Sequence, residues 1–196
     1  MARVDGNYVV LRPLERADVR SILEAVRESR AELAPWMPWC TPDYDEAGVI
    51  AFVESSIEKR RAGLEFDFGI FSSGGEYVGN CALNTLNFEN RFANLGYWIR
   101  TSRTGRGFAA AAVRELARWA FENTELDRLE IVVAADNRAS LAVAARAGAV
   151  REGTLRKRLV VGGRGQDAVV FSLVRGDAIH EVAADDGRRT QAGSGK

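Results

Sequence analysis

The chain has 196 residues, enough for one domain with a buried core, and its 27 basic and 27 acidic side chains give a net charge of zero. That balance implies no broad electrostatic attraction to nucleic acid or to an anionic membrane, so we expect neither as a partner. The apolar runs are too short to span a bilayer and the first residues lack a secretion signal, which predicts a cytoplasmic protein.

The cysteine and histidine content limits the chemistry that the chain can perform. Cys40 and Cys81 lie far apart in sequence, which predicts two free thiols rather than a disulfide framework. His180 is the only histidine, and it follows the last convincing strand beside a polar tail. We therefore expect neither a Ser-His-Asp or Cys-His nucleophile nor a zinc site of cysteine and histidine, and no metal.

The first half of the chain predicts two helices and four strands. The spacing of apolar residues indicates one helix from Asp18 to about Leu33 and a second that is capped by Asp43 or Asp45. The apolar side of the second helix comprises Val49, Ile50, Val53 and Ile57. The strands, with a hairpin turn at 72–75, are predicted at 8–14, 66–71, 77–86 and 93–100.

A basic, glycine-rich loop from Thr101 to Gly107 separates the last of these strands from a helix that begins at about Phe108. Gly105 and Gly107 allow backbone conformations that are closed to other residues. The first N–H groups of a helix have no partner inside it. Because a strand, a glycine loop and a helix N-terminus together bind phosphate oxygens, this loop predicts a phosphate-bearing cofactor.

Two other interpretations of the glycine loop stay open. Residues 105–110 satisfy the G-x-G-x-x-G/A pattern of dinucleotide-binding proteins, which would indicate an oxidoreductase. That pattern expects the strand to run almost directly into the first glycine within parallel strand–helix units, whereas here residues 100–104 intervene and hairpin strands come before. The loop could also be an ordinary one whose arginines face water.

The second half of the chain continues the same pattern of helices and strands. The helix after the loop is amphipathic, and Asp136 or Asn137 caps a short helix that stops at Gly148. Strands are predicted at 129–135, 150–161 and 168–174, the last two joined by a turn at 162–165. These elements predict a mixed α/β layer fold with one central sheet. Residues 1–178 would form a single domain, followed by a polar, disordered tail at 179–196.

Seven local motifs stand along residues 11–173, and it is their order and spacing together that is specific. They are Leu11-Arg12-Pro13-Leu14 with Asp18, Trp36-Met37-Pro38-Trp39, Gly96-Tyr97-Trp98-Ile99, Gly105-Arg106-Gly107, Asn137-Arg138-Ala139-Ser140, Arg151-Glu152-Gly153 with Leu155-Arg156, and Asp167. In this arrangement the chain resembles the GNAT superfamily of acyl-CoA N-acyltransferases, in its RimJ/RimL-like branch. The resemblance implies a mixed, mostly antiparallel, twisted sheet of about seven strands with about four flanking helices. It also implies an N-acetyltransferase that uses acetyl-CoA as co-substrate, without a metal, and it is compatible with a homodimer.

The resemblance assigns a set of cofactor contacts. Backbone N–H groups from Thr104 to Ala109 would bind the CoA pyrophosphate, and Arg103 or Arg106 would supply a cationic side chain, since Thr104 stands where the family usually has Gln or Arg. The strand at 98–100 resembles the splayed strand whose backbone pairs with the pantetheine amides. The expected contacts are Trp98, Ile99, Arg100, Thr104, Gly105, Arg106, Gly107, Phe108, Ala109, Asn137 and Ser140.

The candidate catalytic residues are Ser140, Asn94 and Glu89. Asn137 and Ser140 resemble the family's N-x-x-S pair, in which the serine would protonate the departing thiolate, although helix capping alone also explains either residue. The family commonly has a glutamate as general base where this chain has Asn94, and a neutral amide cannot take a proton at pH 7. Glu89 is the nearest acidic alternative, or else a solvated turn residue.

Trp36, Met37 and Trp39 lie where RimL-like proteins form the acceptor side of the cleft. There they would cover the amine and exclude water, or alternatively they would only cover the edge of the core. Cys40 beside them is expected to be inert. The acceptor would be a protein N-terminal amine, a ribosomal protein included, or a small amine. Asn94 in place of an acid leaves a second hypothesis, a catalytically silent acyl-CoA-binding regulator.

Overall fold

The chain folds around one mostly antiparallel sheet. The computed structural model describes residues 3–4 and 7–177, with side chains from residue 9 onward, so the predicted tail and His180 lie outside the described residues. The strands within them are β1 Arg3–Val4, β2 Asn7–Arg12, β3 Phe66–Ser72, β4 Tyr77–Asn87, β5 Phe92–Ile99, β6 Arg128–Ala134, β7 Val150–Val161 and β8 Arg164–Val174. The α-helices are α1 Val19–Leu33, α2 Glu46–Arg61, α3 Phe108–Asn123 and α4 Arg138–Arg146.

The strands lie side by side in the order β1-β2-β3-β4-β5-β6-β8-β7. Of the neighbouring pairs in the described chain, β5 and β6 alone are parallel. The predicted sheet and its four helices are confirmed, with β1 as a two-residue addition. The antiparallel run from β2 to β5 does not fit the parallel strand–helix units that a dinucleotide-binding fold needs.

Helices cover both faces of the sheet. On one face α3 and α4 pack over a core that includes the fully buried Leu83, Leu95 and Leu116. On the other face α1 and α2 pack around a second cluster that includes Val26 and Val53. In the part of the chain that the structure describes, no helix has the length and apolar character to cross a membrane.

Two details of the predicted elements are wrong. Strand β8 begins at Arg164, four residues before the predicted start at 168, so the turn comprises only Gly162 and Gly163. Both have positive φ, 54° and 74°, which a tight hairpin turn needs. Ile50, predicted on the apolar side of α2, is 39% exposed because it lies one residue away from the buried Val49 and so faces outward on the helix.

The open choices of helix cap are resolved by hydrogen bonds. Asp45, not Asp43, caps α2 by accepting from the Gly48 N–H at 3.0 Å. Asn137, not Asp136, caps α4 by accepting from the Ser140 N–H at 3.0 Å.

Candidate active site

Strands β5 and β6 separate after a short contact, and the cavities begin there. The two strands pair over three residues, from Phe92–Arg128 to Asn94–Glu130. Beyond them β6 continues along β8, and residues 95–99 of β5 have no partner on β6 within the described chain. This segment therefore has an open edge, with backbone N–H and C=O groups that lack a strand partner. A cavity of about 130 Å³, here called the wedge, lies along that edge.

A larger cavity of about 370 Å³ extends from this edge to the glycine loop, and we call it the cofactor cavity. Nine of the eleven predicted cofactor residues line it, namely Trp98, Ile99, Thr104, Gly105, Gly107, Phe108, Ala109, Asn137 and Ser140. The structure thus brings the end of β5, the loop and the beginnings of α3 and α4 into one space.

The glycine loop has a conformation suited to an anion. Gly105 and Gly107 have φ angles of 74° and 86°, in the left-handed region that glycine enters without a steric cost. Gly107 is the N-cap residue of α3, and no side chain in the described chain caps that helix. The first N–H groups of α3 are therefore left for a ligand at this end of the cofactor cavity.

Arg100 does not line the cofactor cavity, contrary to the predicted contact, because its backbone N–H donates to Val78 O at 2.9 Å and its side chain is held by Glu28. Its Nε donates to Glu28 Oε2 at 2.9 Å, and the Ser102 N–H donates to Glu28 Oε1 at 2.7 Å. The hydrogen bond from Arg100 is the main reason that the pKa of Glu28 is lowered to about 2. Arg100 and Glu28 thus attach the start of the glycine loop to α1.

The cationic lining of the cofactor cavity comes from Arg103 and Arg146. Arg103 Nη2 lies 2.7 Å from Glu76 Oε2. Arg146, exposed at the end of α4, was missed from sequence because no local pattern connects it with the loop. Arg106 is exposed and lies outside the lining, so of the two arginines proposed as the cation only Arg103 reaches the cavity.

Ser140 and Tyr97 form a pair of hydroxyl groups on the wall of the cofactor cavity. Ser140 Oγ and Tyr97 Oη are 2.9 Å apart, and either can donate. Burial raises the pKa of Tyr97 to about 12, so this hydroxyl stays protonated at neutral pH. Asn137 both caps α4 and lines the cavity, so the capping and ligand-binding interpretations are compatible for this residue. Tyr97 belongs to the motif Gly96-Tyr97-Trp98-Ile99, but the sequence predicted no function for it.

A third cavity, of about 360 Å³, lies beneath α1 and α2, and we call it the acceptor cavity. Met37, Tyr97 and Trp98 line both this cavity and the cofactor cavity, so the two adjoin there. Its other apolar and aromatic walls are Ile22, Val26, Trp39, Tyr44 and Phe52.

The register of three strands determines the floor of the acceptor cavity. Asp67 of β3 pairs with Ala82 of β4, which pairs with Gly96 of β5. Since residues two apart on a strand share a face, the neighbours Asn80 and Asn84 point to the same side as Ala82. Small residues therefore form the centre of the floor, and polar side chains surround them.

Two of the three predicted acceptor residues, Met37 and Trp39, line the acceptor cavity. Trp36 lines the cofactor cavity and the wedge instead. The Trp36 and Met37 N–H groups both donate to Leu33 O, at 2.9 and 2.8 Å, so the helical turn continues past α1. Successive residues on such a turn point in different directions, which separates Trp36 from Met37. Cys40 is a buried free thiol.

Neither Asn94, at the position where the family commonly has its base, nor Glu89, the predicted acidic alternative, lines the acceptor cavity. Glu89 is exposed in the turn after β4. Asn94 Nδ2 donates to Asn84 Oδ1 at 2.9 Å, which holds its side chain at the rim. The carboxylates that do line the cavity are Glu65 and Asp67, which sequence reasoning missed. In the sequence, Glu65 and Asp67 alternate with Phe66 and Phe68. This alternation could have identified the two carboxylates, because it places both of them on one face of a strand.

Comparison with known proteins gives a consistent result. A sequence profile described as an acetyltransferase (GNAT) domain matches residues 9–150. YdaF of Bacillus subtilis (strain 168), provisionally named a ribosomal N-acetyltransferase, is 31% identical over 87% of this chain and 93% of its own. The ribosomal-protein-serine acetyltransferase of Escherichia coli (strain K12) is 26% identical over 71% of this chain and 77% of its own. The structure of Mycobacterium smegmatis RimJ in complex with CoA-disulfide matches with a TM-score of 0.83 at 27% identity, covering 91% of this chain and 88% of RimJ. The matched residues 9–150 include the whole lining of the cofactor and acceptor cavities.

Proposed function

Because the chain belongs to the GNAT acetyltransferase family, we propose that it transfers an acetyl group from acetyl-CoA to a primary amine, by direct attack of the amine while both molecules are bound. The observation that carries this proposal is the junction of the cofactor and acceptor cavities at Met37, Tyr97 and Trp98. Reactants held in adjoining cavities meet in one orientation, and such positioning supplies much of the rate of a two-substrate reaction.

The cofactor cavity would bind acetyl-CoA mainly through backbone groups. N–H groups of the glycine loop and of the start of α3 would hold the pyrophosphate, with charge from Arg103 and Arg146. The open edge of residues 95–99 would pair with the pantetheine amides as an added strand does. A backbone N–H there would polarise the thioester carbonyl. Support comes from the RimJ complex, whose bound molecule is CoA-disulfide.

For the acceptor we propose a protein N-terminal amine, with a ribosomal protein as its first candidate source. The names of YdaF and of the Escherichia coli relative support that choice. In a turnover assay, the protein should release the CoA thiol from acetyl-CoA when N-terminal peptides of ribosomal proteins or small amines are present. Binding of acetyl-CoA without turnover of any acceptor would instead favour the silent regulator that Asn94 suggested.

Acetyl-CoA and CoA are expected to raise the melting temperature, whereas NAD and NADP are not. A ligand at about 100 times its Kd stabilises the native state by roughly 2.7 kcal/mol, which thermal-shift measurements detect readily. Stabilisation by NAD alone would contradict the choice of cofactor.

Ser140→Ala is expected to lower kcat about 10²-fold and to leave the Kd of acetyl-CoA nearly unchanged, because the hydroxyl acts when the thiolate departs. A thiol with a pKa of about 8.5 is a fair leaving group unaided, which places the effect at the low end for general acids. Tyr97→Phe should give a similar loss, and the double variant little more, since the two hydroxyls act in one chain. Steady-state kinetics with both single variants test this, and an unchanged kcat in each would exclude the role.

A further inference from the structure

The proposed reaction needs a group that removes a proton from the acceptor, and two polar side chains are buried in the acceptor cavity. Asp67 and Asn80 are 6% and 5% exposed. Asn80 Nδ2 donates to Asp67 Oδ1 at 3.3 Å. Asn80 Oδ1 has no hydrogen-bond partner among the described residues. A buried oxygen that accepts no hydrogen bond destabilises the fold. The free Asn80 Oδ1 therefore indicates that a hydrogen-bond donor of a bound ligand completes the site.

We propose that Asp67 is the general base of the transfer and that Asp67 and Asn80 together bind the acceptor as a protonated primary amine. This inference rests on the proposed function and extends it to the base and to the charge of the acceptor. An ammonium group has three N–H donors, so it can bond to Asp67 and to Asn80 Oδ1 at once. Trp39 and Tyr44, with ring centroids 5.3 Å apart, line the same cavity, and aromatic faces attract a cation.

The strand register places Asp67 at a suitable distance from the thioester. Asp67, Ala82 and Gly96 form one row across β3, β4 and β5. At the usual spacing of strands, the Cα atoms of Asp67 and Gly96 are about 10 Å apart. Gly96 belongs to the segment whose open edge would hold the thioester arm. An amine that is bound to Asp67 above the small side chain of Ala82 therefore lies between Asp67 and the thioester carbonyl that the amine attacks.

Asp67 is better suited to this role than Glu65, the other carboxylate of the cavity. The carboxylate of Glu65 forms an ion pair with Lys59, whereas that of Asp67 contacts only a neutral amide among its described hydrogen bonds. Burial, and then the charge of Glu65, raise the pKa of Asp67 to about 6, so that it is ionised at neutral pH and is a stronger base than an ordinary aspartate. The charged and titratable groups around it are Lys59 and Arg60 of α2, Glu65 beside β3, and Tyr77 and Cys81 of β4.

The proton balance of the step is complete. The ammonium gives one proton to Asp67, and the neutral amine attacks the thioester carbon. The C–N bond forms, the C–S bond breaks, and the second proton of the nitrogen reaches the CoA sulfur through the Ser140–Tyr97 hydroxyl pair. Asp67 then releases its proton to solvent, so that the products are an amide, the CoA thiol and one proton.

The kinetic test compares Asp67→Asn with Glu65→Gln, using the amine that turns over fastest in the acceptor panel. In the wild type, kcat/KM should decrease as the pH is lowered below about 6, because Asp67 becomes protonated. Asp67→Asn should lower kcat/KM by about 10²- to 10⁴-fold and remove that pH dependence, with the Kd of acetyl-CoA within about threefold. Glu65→Gln removes a like charge from the same face, so it should keep the pH dependence and shift it to lower pH. An Asp67→Asn variant that keeps both the rate and the fall near pH 6 would overturn the proposal.

A binding experiment separates this inference from the acetyl transfer itself. The probes are 2-phenylethylammonium and its neutral analogue 2-phenylethanol, titrated into the full chain without acetyl-CoA and followed by NMR. We expect the wild type to bind the ammonium at least about tenfold more tightly than the alcohol at pH 7.5, and Asp67→Asn to lose that preference. Equal binding of both probes by the wild type would overturn the amine site. If the wild type prefers the ammonium to the alcohol but acetylates no amine, the proposed acetyl transfer and the role of Asp67 as a base are wrong, and the ammonium-binding site is retained.

Discussion

Gly107→Glu is expected to weaken CoA binding by at least about 10²-fold while the domain stays folded. Gly107 adopts a φ of 86° at the N-cap of α3, where unpaired N–H groups face the cofactor cavity. A glutamate there would occupy the space of the pyrophosphate and would repel it, and its carboxylate could take the N–H groups for itself. Calorimetry with CoA gives the affinity, and far-UV circular dichroism with thermal melting confirms that the variant is folded.

Gly63→Glu is the matched control for that experiment. Gly63 also has a positive φ, 67°, and an added Cβ would meet no atom within 4 Å. It lies after α2, outside the lining of the cofactor cavity. The control therefore has a similar backbone strain, about 1–2 kcal/mol, and should keep its CoA affinity. Unchanged affinity in a folded Gly107→Glu variant would show that the glycine loop is only structural.

Ala82→Leu is expected to lower kcat/KM for the amine at least about 10²-fold and to leave the Kd of acetyl-CoA unchanged. Ala82 is the centre of the floor of the acceptor cavity and does not line the cofactor cavity. An isobutyl group in place of a methyl would project into a space of about 360 Å³, which can hold it without large backbone shifts. It would then exclude the acceptor from the row between Asp67 and Gly96.

Steady-state kinetics with the amine varied, together with calorimetry on acetyl-CoA, separate the two effects. Ala82→Ser nearly conserves the volume of the side chain and should retain most of the activity. If Ala82→Leu acetylates the amine at the wild-type rate, the acceptor binds elsewhere.

The fold and the lining of the cofactor cavity were largely predictable from sequence, because their determinants are local. A strand, a glycine loop and a helix start follow one another from Trp98 to Ala109, and the groups that face the cavity are mostly backbone. What was missed there depends on distant elements. Arg146 comes from α4, and Arg100 is held outside the cavity by Val78 of β4 and Glu28 of α1.

Of the acceptor cavity only Met37 and Trp39 were predicted, because its floor is assembled from residues that only the pairing of strands brings together. Asp67, Ala82 and Gly96 form a row through the register of β3, β4 and β5. The alternation of acidic and aromatic residues around Asp67 indicates that the carboxylates of Glu65 and Asp67 share one face of a strand. It does not indicate whether that face borders a cavity or the solvent. Trp36 was predicted on the acceptor side, but it lines the cofactor cavity because the helical turn continues past the end of α1.

An open strand edge is ordinarily a liability, because other polypeptides add to it and the protein aggregates. The open edge of β5 at 95–99 is inside a wedge of about 130 Å³ beside β6. A β-strand carries side chains on both of its faces, so it takes up more room beside such an edge than an unbranched chain with the same amide groups. A slim, unbranched molecule with amide groups along its length can still enter and pair. Because β5 lies between β4 and β6 within the sheet and not at its margin, this open edge is less accessible to unfolded polypeptide than to a small linear ligand.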